Sequence, residues 1–98
     1  MQVGVSHSTP EAVMALRFIG IDPDTGQQGS PTVWVDAGKG ELVFQGWKPD
    51  EELEAECAAF EIPGHAPGIP LHEAVVRIPV RMVPMLRKAC DVAERSGL

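Results

Sequence analysis

Histidine and cysteine side chains are the first residues of this chain to consider as metal ligands. Cys57, His65 and His72 lie close together in the sequence, whereas His7 lies far from them near the N-terminus. Zinc binds thiolate and imidazole ligands, but its sites usually present them at short, regular spacings. Neither C-x-x-C nor H-x-x-x-H occurs here. We therefore interpret the histidines as ordinary loop residues, and a zinc site of Cys57, His65 and His72 is the alternative.

A second candidate is the pair of carboxylates in IDPDTGQQGSP, residues 21–31, where Asp22 and Asp24 precede Gly26. A calcium-binding loop of that type requires an oxygen ligand at its fifth position and a glutamate at its twelfth. Gly26 and Val33 stand at those positions, so the template fails. The proline and the turn formers around the two aspartates instead predict an irregular loop.

Motifs of covalent catalysis and of phosphate binding do not occur in the sequence. There is no G-x-S-x-G elbow, and no glycine-rich loop follows a predicted strand. The acidic residues of KPDEELEAECAAF are interpreted as the solvated side of a helix. Cys57 and Cys90 belong to no dense cysteine framework, which favours two reduced thiols over a disulfide. The sequence therefore predicts neither an enzyme nor a cofactor.

The charge of the chain is negative and unevenly distributed. The net charge is -6, with twelve acidic and three basic residues in 1–73 but two acidic and five basic residues in 74–98. Because attraction to phosphates supplies most non-specific affinity for nucleic acids, an acidic chain is not expected to bind DNA directly. The C-terminal basic residues are interpreted as the solvated face of a helix, which could also face an acidic surface.

Length and hydropathy predict one domain without a membrane span. The 98 residues suffice for a single small core, and no apolar run approaches the length of about 20 residues that a bilayer requires. The N-terminal segment lacks the features of a signal peptide, so the cytoplasm is the expected compartment. Residues 1–13 are predicted to be a flexible extension, and residues 14–98 a single α+β domain.

The segment SPTVWVDAGKGELVFQGW, residues 30–47, has two runs of alternating side chains around Gly38-Lys39, with apolar residues on both faces, and predicts a β-hairpin. A two-residue turn at Gly38-Lys39 and a longer loop over residues 37–40 give the same register. This register places four apolar residues on one face as the predicted core stripe: Val33, Val35, Leu42 and Phe44. The opposite face pairs Trp34 with Val43, and it includes Trp47 if the strand continues.

The remaining elements complete an α+β fold. LRFIGI (16–21) and EAVVRI (73–78) are predicted to be strands of the same antiparallel sheet, which then has three to four strands. A short acidic helix begins at Pro49 and presents Leu53, Cys57 and Phe60 along one side. A proline-rich loop follows it, and the last helix, near residues 80–95, is predicted to pack on the sheet with Pro84 in its first turn.

Three segments carry a family resemblance: LRFIGIDPDTG, SPTVWVDAGKGELVFQGW and EAVVRIPVRMVPMLRKA. In this order they resemble short acidic actinobacterial proteins encoded beside helix-turn-helix regulators, like the small acidic partners of WhiJ-type regulators. The resemblance covers about residues 15–95, and Met14 lies closer than Met1 to the usual start. It implies a non-enzymatic companion that modulates a DNA-binding partner, in an antitoxin-like or adaptor-like way. It assigns no binding residues.

The candidate interaction surface consists of Trp34, Val43, Trp47, Arg77 and Arg81. Aromatic residues are frequent energetic anchors of protein interfaces. Two accounts of the tryptophans stay open: the acidic helix and the proline-rich loop cover them, or they contact a partner. An exposed sheet edge could also pair with a second copy to form a homodimer. The alternative function is a small-molecule or metal-binding domain, or a minor enzyme, that uses a cleft near the proline-rich loop.

Overall fold

The computed structural model describes residues 15–26 and 29–97. Its strands are β1 (Leu16–Ile21), β2 (Thr32–Asp36) and β3 (Glu41–Gln45), and its helices are α1 (Glu51–Ala59) and α2 (Val83–Arg95). A single 3-10 turn, Val80–Met82, leads into α2. The predicted α+β class is confirmed. The flexible extension predicted for residues 1–13 lies outside the described residues.

The three strands form one antiparallel sheet in the order β1-β2-β3. The predicted hairpin register is confirmed, since Trp34 pairs with Val43 and the residues on either side of it pair as expected. The connection is the longer of the two predicted loops, residues 37–40, and Gly40 adopts a φ of 65° that favours glycine. The Oδ1 atom of Asp36 accepts a hydrogen bond of 3.0 Å from the backbone N–H of Lys39, which stabilises this loop.

A bulge in β1 changes which side chains point toward α2. Phe18 pairs with Trp34 and Gly20 pairs with Val33, so Ile19 is an extra residue between the two pairs. Ile19 packs against the buried core. A Cβ atom on Gly20 would lie 2.8 Å from the sulfur of Met85 in α2. The glycine therefore allows α2 to approach the strand closely.

The core lies between α2 and one face of the sheet, which we call the helix-covered face. Its four buried apolar residues are Val33, Val35, Met82 and Ala89. The partly buried side chains around them come mainly from the apolar side of α2, at Met85, Leu86, Val92 and Ala93. This helical spacing confirms the predicted packing of the last helix, and Pro84 lies in its first turn as predicted, where no backbone N–H is needed.

The predicted burial of β3 is wrong. Leu42 and Phe44 share the helix-covered face with Val33 and Val35, as the register requires, but they are 38% and 42% exposed. The reason is the position of α2, which packs mainly against β1 and β2 and only marginally against β3. The core stripe is therefore complete on the central strand and open on the edge strand.

The strand predicted at EAVVRI is also wrong, because only Arg77 of this segment pairs with another strand segment. Its backbone N–H donates to the carbonyl of Trp47 at 2.9 Å, and the N–H of Trp47 donates to the carbonyl of Arg77 at 2.8 Å. In an antiparallel ladder the next hydrogen-bonded pairs would join residue 49 to residue 75 and residue 45 to residue 79. Residues 49 and 79 are prolines, which have no N–H to donate, so the ladder ends after one pair.

Helix α1 does not take part in the core. The side chain of Asp50 caps its N-terminus by accepting a hydrogen bond of 2.8 Å from the N–H of Leu53. None of its residues is buried, and it does not pack substantially against the sheet or α2. Leu53 and Cys57 are half-buried, whereas Phe60 is 71% exposed. Trp47 is 41% exposed and Trp34 is half-buried, so neither tryptophan is fully covered.

Candidate interaction surface

The sheet face opposite α2 exposes several apolar side chains, and we call it the open face. By register it presents five apolar side chains from three strands: Leu16, Phe18, Ile21, Trp34 and Val43. The three contributed by β1 are 43%, 60% and 46% exposed. Helix α2 packs on the opposite face, with Val33 and Val35, and α1 makes no substantial contact with the sheet. The sheet has apolar residues on both faces, but a helix packs on only one of them. The apolar side chains of the open face are therefore exposed to solvent.

Trp34 occupies the centre of the open face. It lies on the central strand, paired with Phe18 on one side and with Val43 on the other. Trp34 and Val43 are half-buried. A half-buried aromatic residue surrounded by more exposed apolar ones is the usual arrangement of an energetic anchor in a protein interface.

Trp47 and Arg77 lie at a different place, beyond the end of β3. The side chain of Trp47 is 41% exposed, and Arg77 is exposed as well. Their paired backbones join the two ends of residues 48–76, a segment that we call the arm. The approach is so close that a Cβ atom on Gly46 would clash with the carbonyl oxygen of Arg77. These two candidate residues therefore form the base of the arm and are separate from the centre of the open face.

Arg81 makes an ion pair with Asp22. Its Nε and Nη2 atoms donate to the two carboxylate oxygens of Asp22, both at 2.7 Å. Asp22 is 2% exposed, and its carboxylate also accepts from the hydroxyl of Thr25 and, at 3.2 Å, from the N–H of Asp24. The hydrogen bonds from Arg81 hold the pKa of Asp22 well below its usual range.

This pairing assigns Arg81 a structural contact that its sequence position does not reveal. The carboxylate raises the pKa of the Arg81 guanidinium in return, mainly through the same hydrogen bonds. Asp24 lies 3.7 Å from the guanidinium as a second, exposed acid. The IDPDTG segment forms the loop that its sequence predicts, but its role is to present Asp22 to the turn before α2. From the sequence, this contact could have been inferred only through the general rule that a buried carboxylate needs a cationic partner.

The residues of the alternative metal site do not form one cluster. Within residues 15–26 and 29–97, no three histidine, cysteine or acidic side chains come together in a way that could hold a metal ion. His72 lies 3.7 Å from Glu73, and both side chains are exposed. His65 lines a cavity of about 370 Å³ within the proline-rich loop, together with other residues of the same loop. Cys57 and Cys90 are not joined by a disulfide.

Comparisons with protein-family models, curated proteins and solved structures find no match for this chain. Neither helix of the described part has the length and apolar character needed to cross a bilayer. The candidate surface therefore rests on the geometry of the chain itself, and the open face is its best-defined part.

Proposed function

We propose that this protein is a non-enzymatic interaction module that modulates a helix-turn-helix transcriptional regulator, in an antitoxin-like or adaptor-like way. The observation that carries the proposal is the open face, where Phe18 and Trp34 are available to a partner. Contiguous exposed apolar area on a small domain commonly marks a site of protein interaction. The resemblance to actinobacterial proteins encoded beside such regulators names the kind of partner, and a partner that binds DNA implies a cytoplasmic location.

The proposed contact is between proteins, with DNA bound by the regulator alone. The net charge of -6 opposes direct contact with phosphates. Trp34 supplies the large apolar area typical of an interface anchor, and Phe18 extends that area toward the sheet edge at β1. Arg81 contributes indirectly, because its ion pair with Asp22 joins the end of β1 to the turn before α2.

The experiment is co-purification of the tagged protein with the helix-turn-helix regulator encoded beside its gene, followed by measurement of the affinity of the purified pair. Trp34→Ala and Phe18→Ala should each leave the domain folded, as judged by circular dichroism, and weaken the complex. The loss of an interface anchor costs about 2 kcal/mol or more, which is close to thirtyfold in affinity.

Phe44→Ala is the matched control for Phe18→Ala. Both residues are half-exposed phenylalanines on edge strands, but Phe44 lies on the helix-covered face. Its replacement should leave the affinity within about twofold of the original. Equal losses for the two variants would contradict the open face as the contact, and the absence of any complex with the regulator would contradict the proposed function.

A further inference from the structure

The arm is a long segment for so small a domain. Its 29 residues, 48–76, start and end at the Trp47–Arg77 backbone pair and contain α1 and the proline-rich loop. The last 17 of these residues, 60–76, contain no helix or strand, and connections of this length without secondary structure are uncommon in compact domains unless they serve a function. Because the arm contributes no buried apolar residue to the core, stability of the fold does not explain its length.

The arm carries the whole net charge of the protein. It holds seven of the fourteen acidic residues and one of the eight lysine and arginine residues, so its net charge is -6. The rest of the chain holds seven residues of each sign and is neutral. Five of the acids lie within the short stretch of residues 50–56 that caps and forms most of α1. The acidic character that excludes DNA binding thus belongs to one projecting segment.

Apolar side chains on the arm are exposed beside these charges. Phe60 directly follows α1 and is 71% exposed, Ile62 is 55% exposed, and Leu71 in the proline-rich loop is fully exposed. The four glutamates of α1 are all exposed, and the Asp50 cap stabilises its helical form. A preformed helix docks with less loss of conformational freedom than a segment that must fold on binding.

The combination of charge and exposed apolar area indicates the chemistry of the occupant. A partner surface that complements the arm must be strongly basic and must offer apolar contacts for Phe60 and Ile62. A DNA-binding protein presents such a basic surface where it neutralises phosphates. We propose that the arm docks on the DNA-contacting surface of the regulator and competes with DNA for it. This inference rests on the proposed function and assigns the competition to a site separate from the open face.

The test is a displacement assay with the full-length protein, the purified regulator and a fluorescent duplex that the regulator binds. Glu52→Gln/Glu56→Gln removes two exposed charges one turn apart on α1, and relief of their repulsion favours the helix. Because two exposed ion pairs with the partner would be lost, we expect this variant to need about fivefold more protein for half-displacement. Phe60→Ser should weaken displacement as well without lowering the melting temperature.

Asp91→Asn/Glu94→Gln is the matched control, since it removes the same charge from two exposed positions on α2, outside both the arm and the open face. It should change displacement by less than about twofold. Equal weakening by the two double variants would mean that only net charge matters and would overturn the inference. A regulator that binds the protein in the pull-down but keeps its DNA would also overturn it, while leaving the proposed function intact. Failure of the pull-down itself would overturn both.

Discussion

The carboxylate of Asp22 and the guanidinium of Arg81, 59 positions apart in the chain, are joined by two hydrogen bonds of 2.7 Å each. The pair connects the residue after β1 to the 3-10 turn that precedes α2, so it holds the helix to one end of the sheet. Asp22 is buried, while the side chain of Arg81 remains 43% exposed. Such a bidentate pair fixes orientation as well as distance.

Asp22→Asn should therefore destabilise the domain. The amide cannot accept both hydrogen bonds from Arg81, and the guanidinium loses its anionic partner. We expect a lower midpoint of thermal unfolding, measured by circular dichroism. Asp24→Asn is the control, because its exposed carboxylate lies 3.7 Å from the same guanidinium, and it should have a much smaller effect. Equal effects of the two variants would contradict a specific role for the buried pair.

The same pair predicts a loss of stability in acid. The pKa of Asp22 in the folded protein lies well below the value of about 3.9 expected in the unfolded chain, so the unfolded state binds a proton first as the pH falls. The stabilisation is complete at neutral pH and decreases below about pH 5, toward the lowered pKa. Denaturant titrations at pH 7 and pH 3 should show a larger decrease for the wild type than for Asp22→Asn. A decrease of the same size in both would contradict this assignment.

The central and edge strands of the hairpin predict different costs of truncation on the helix-covered face. Val33 is fully buried in the central strand, so Val33→Ala should cost about 2–4 kcal/mol of unfolding free energy. Phe44 is 42% exposed on the edge strand, and Phe44→Ala should cost about 1–2 kcal/mol, less than a buried phenylalanine. Urea denaturation of both variants gives the ranking. A larger cost for Phe44 would mean that α2 covers β3 after all.

Gly46→Ala should destabilise the base of the arm. A Cβ atom at this position would meet the backbone carbonyl of Arg77, which cannot rotate away as the end of a side chain can. We expect a cost of about 1–3 kcal/mol, typical of overpacking, and faster hydrogen exchange at the N–H groups of Trp47 and Arg77. Gly26→Ala is the control, because the methyl group that it adds would have no other atom within 4 Å. Unchanged exchange at the Trp47–Arg77 pair in Gly46→Ala would contradict the close approach.

The purified protein should not bind duplex DNA near physiological ionic strength. The seven acidic residues of the arm repel phosphates, and the remainder of the chain is neutral. Fluorescence anisotropy with a labelled duplex measures this directly, and the regulator alone serves as the positive control. Binding that weakens steeply with added salt would show that a basic surface of this chain contacts phosphates and would contradict the proposed division of roles.

The sequence by itself determined the local structure of the hairpin and of the two helices. Alternation of side chains set the hairpin register, Pro49 marked the start of α1 to within two residues, and helical spacing identified the buried side of α2. These features depend on neighbours within a few positions, so patterns of adjacent residues are sufficient to predict them.

Only the tertiary structure decided which apolar surfaces are covered. The placement of α2 over β1 and β2 leaves Phe44 half-exposed, and the position of α1 away from the sheet leaves the open face without helical cover. The partner of Asp22 was likewise out of reach of the sequence, because a hydrogen bond across 59 positions leaves no periodic trace. An alternating pattern predicts only which side chains share a face of a strand. Their burial depends on where whole elements pack, which is set by many contacts between residues distant in the sequence.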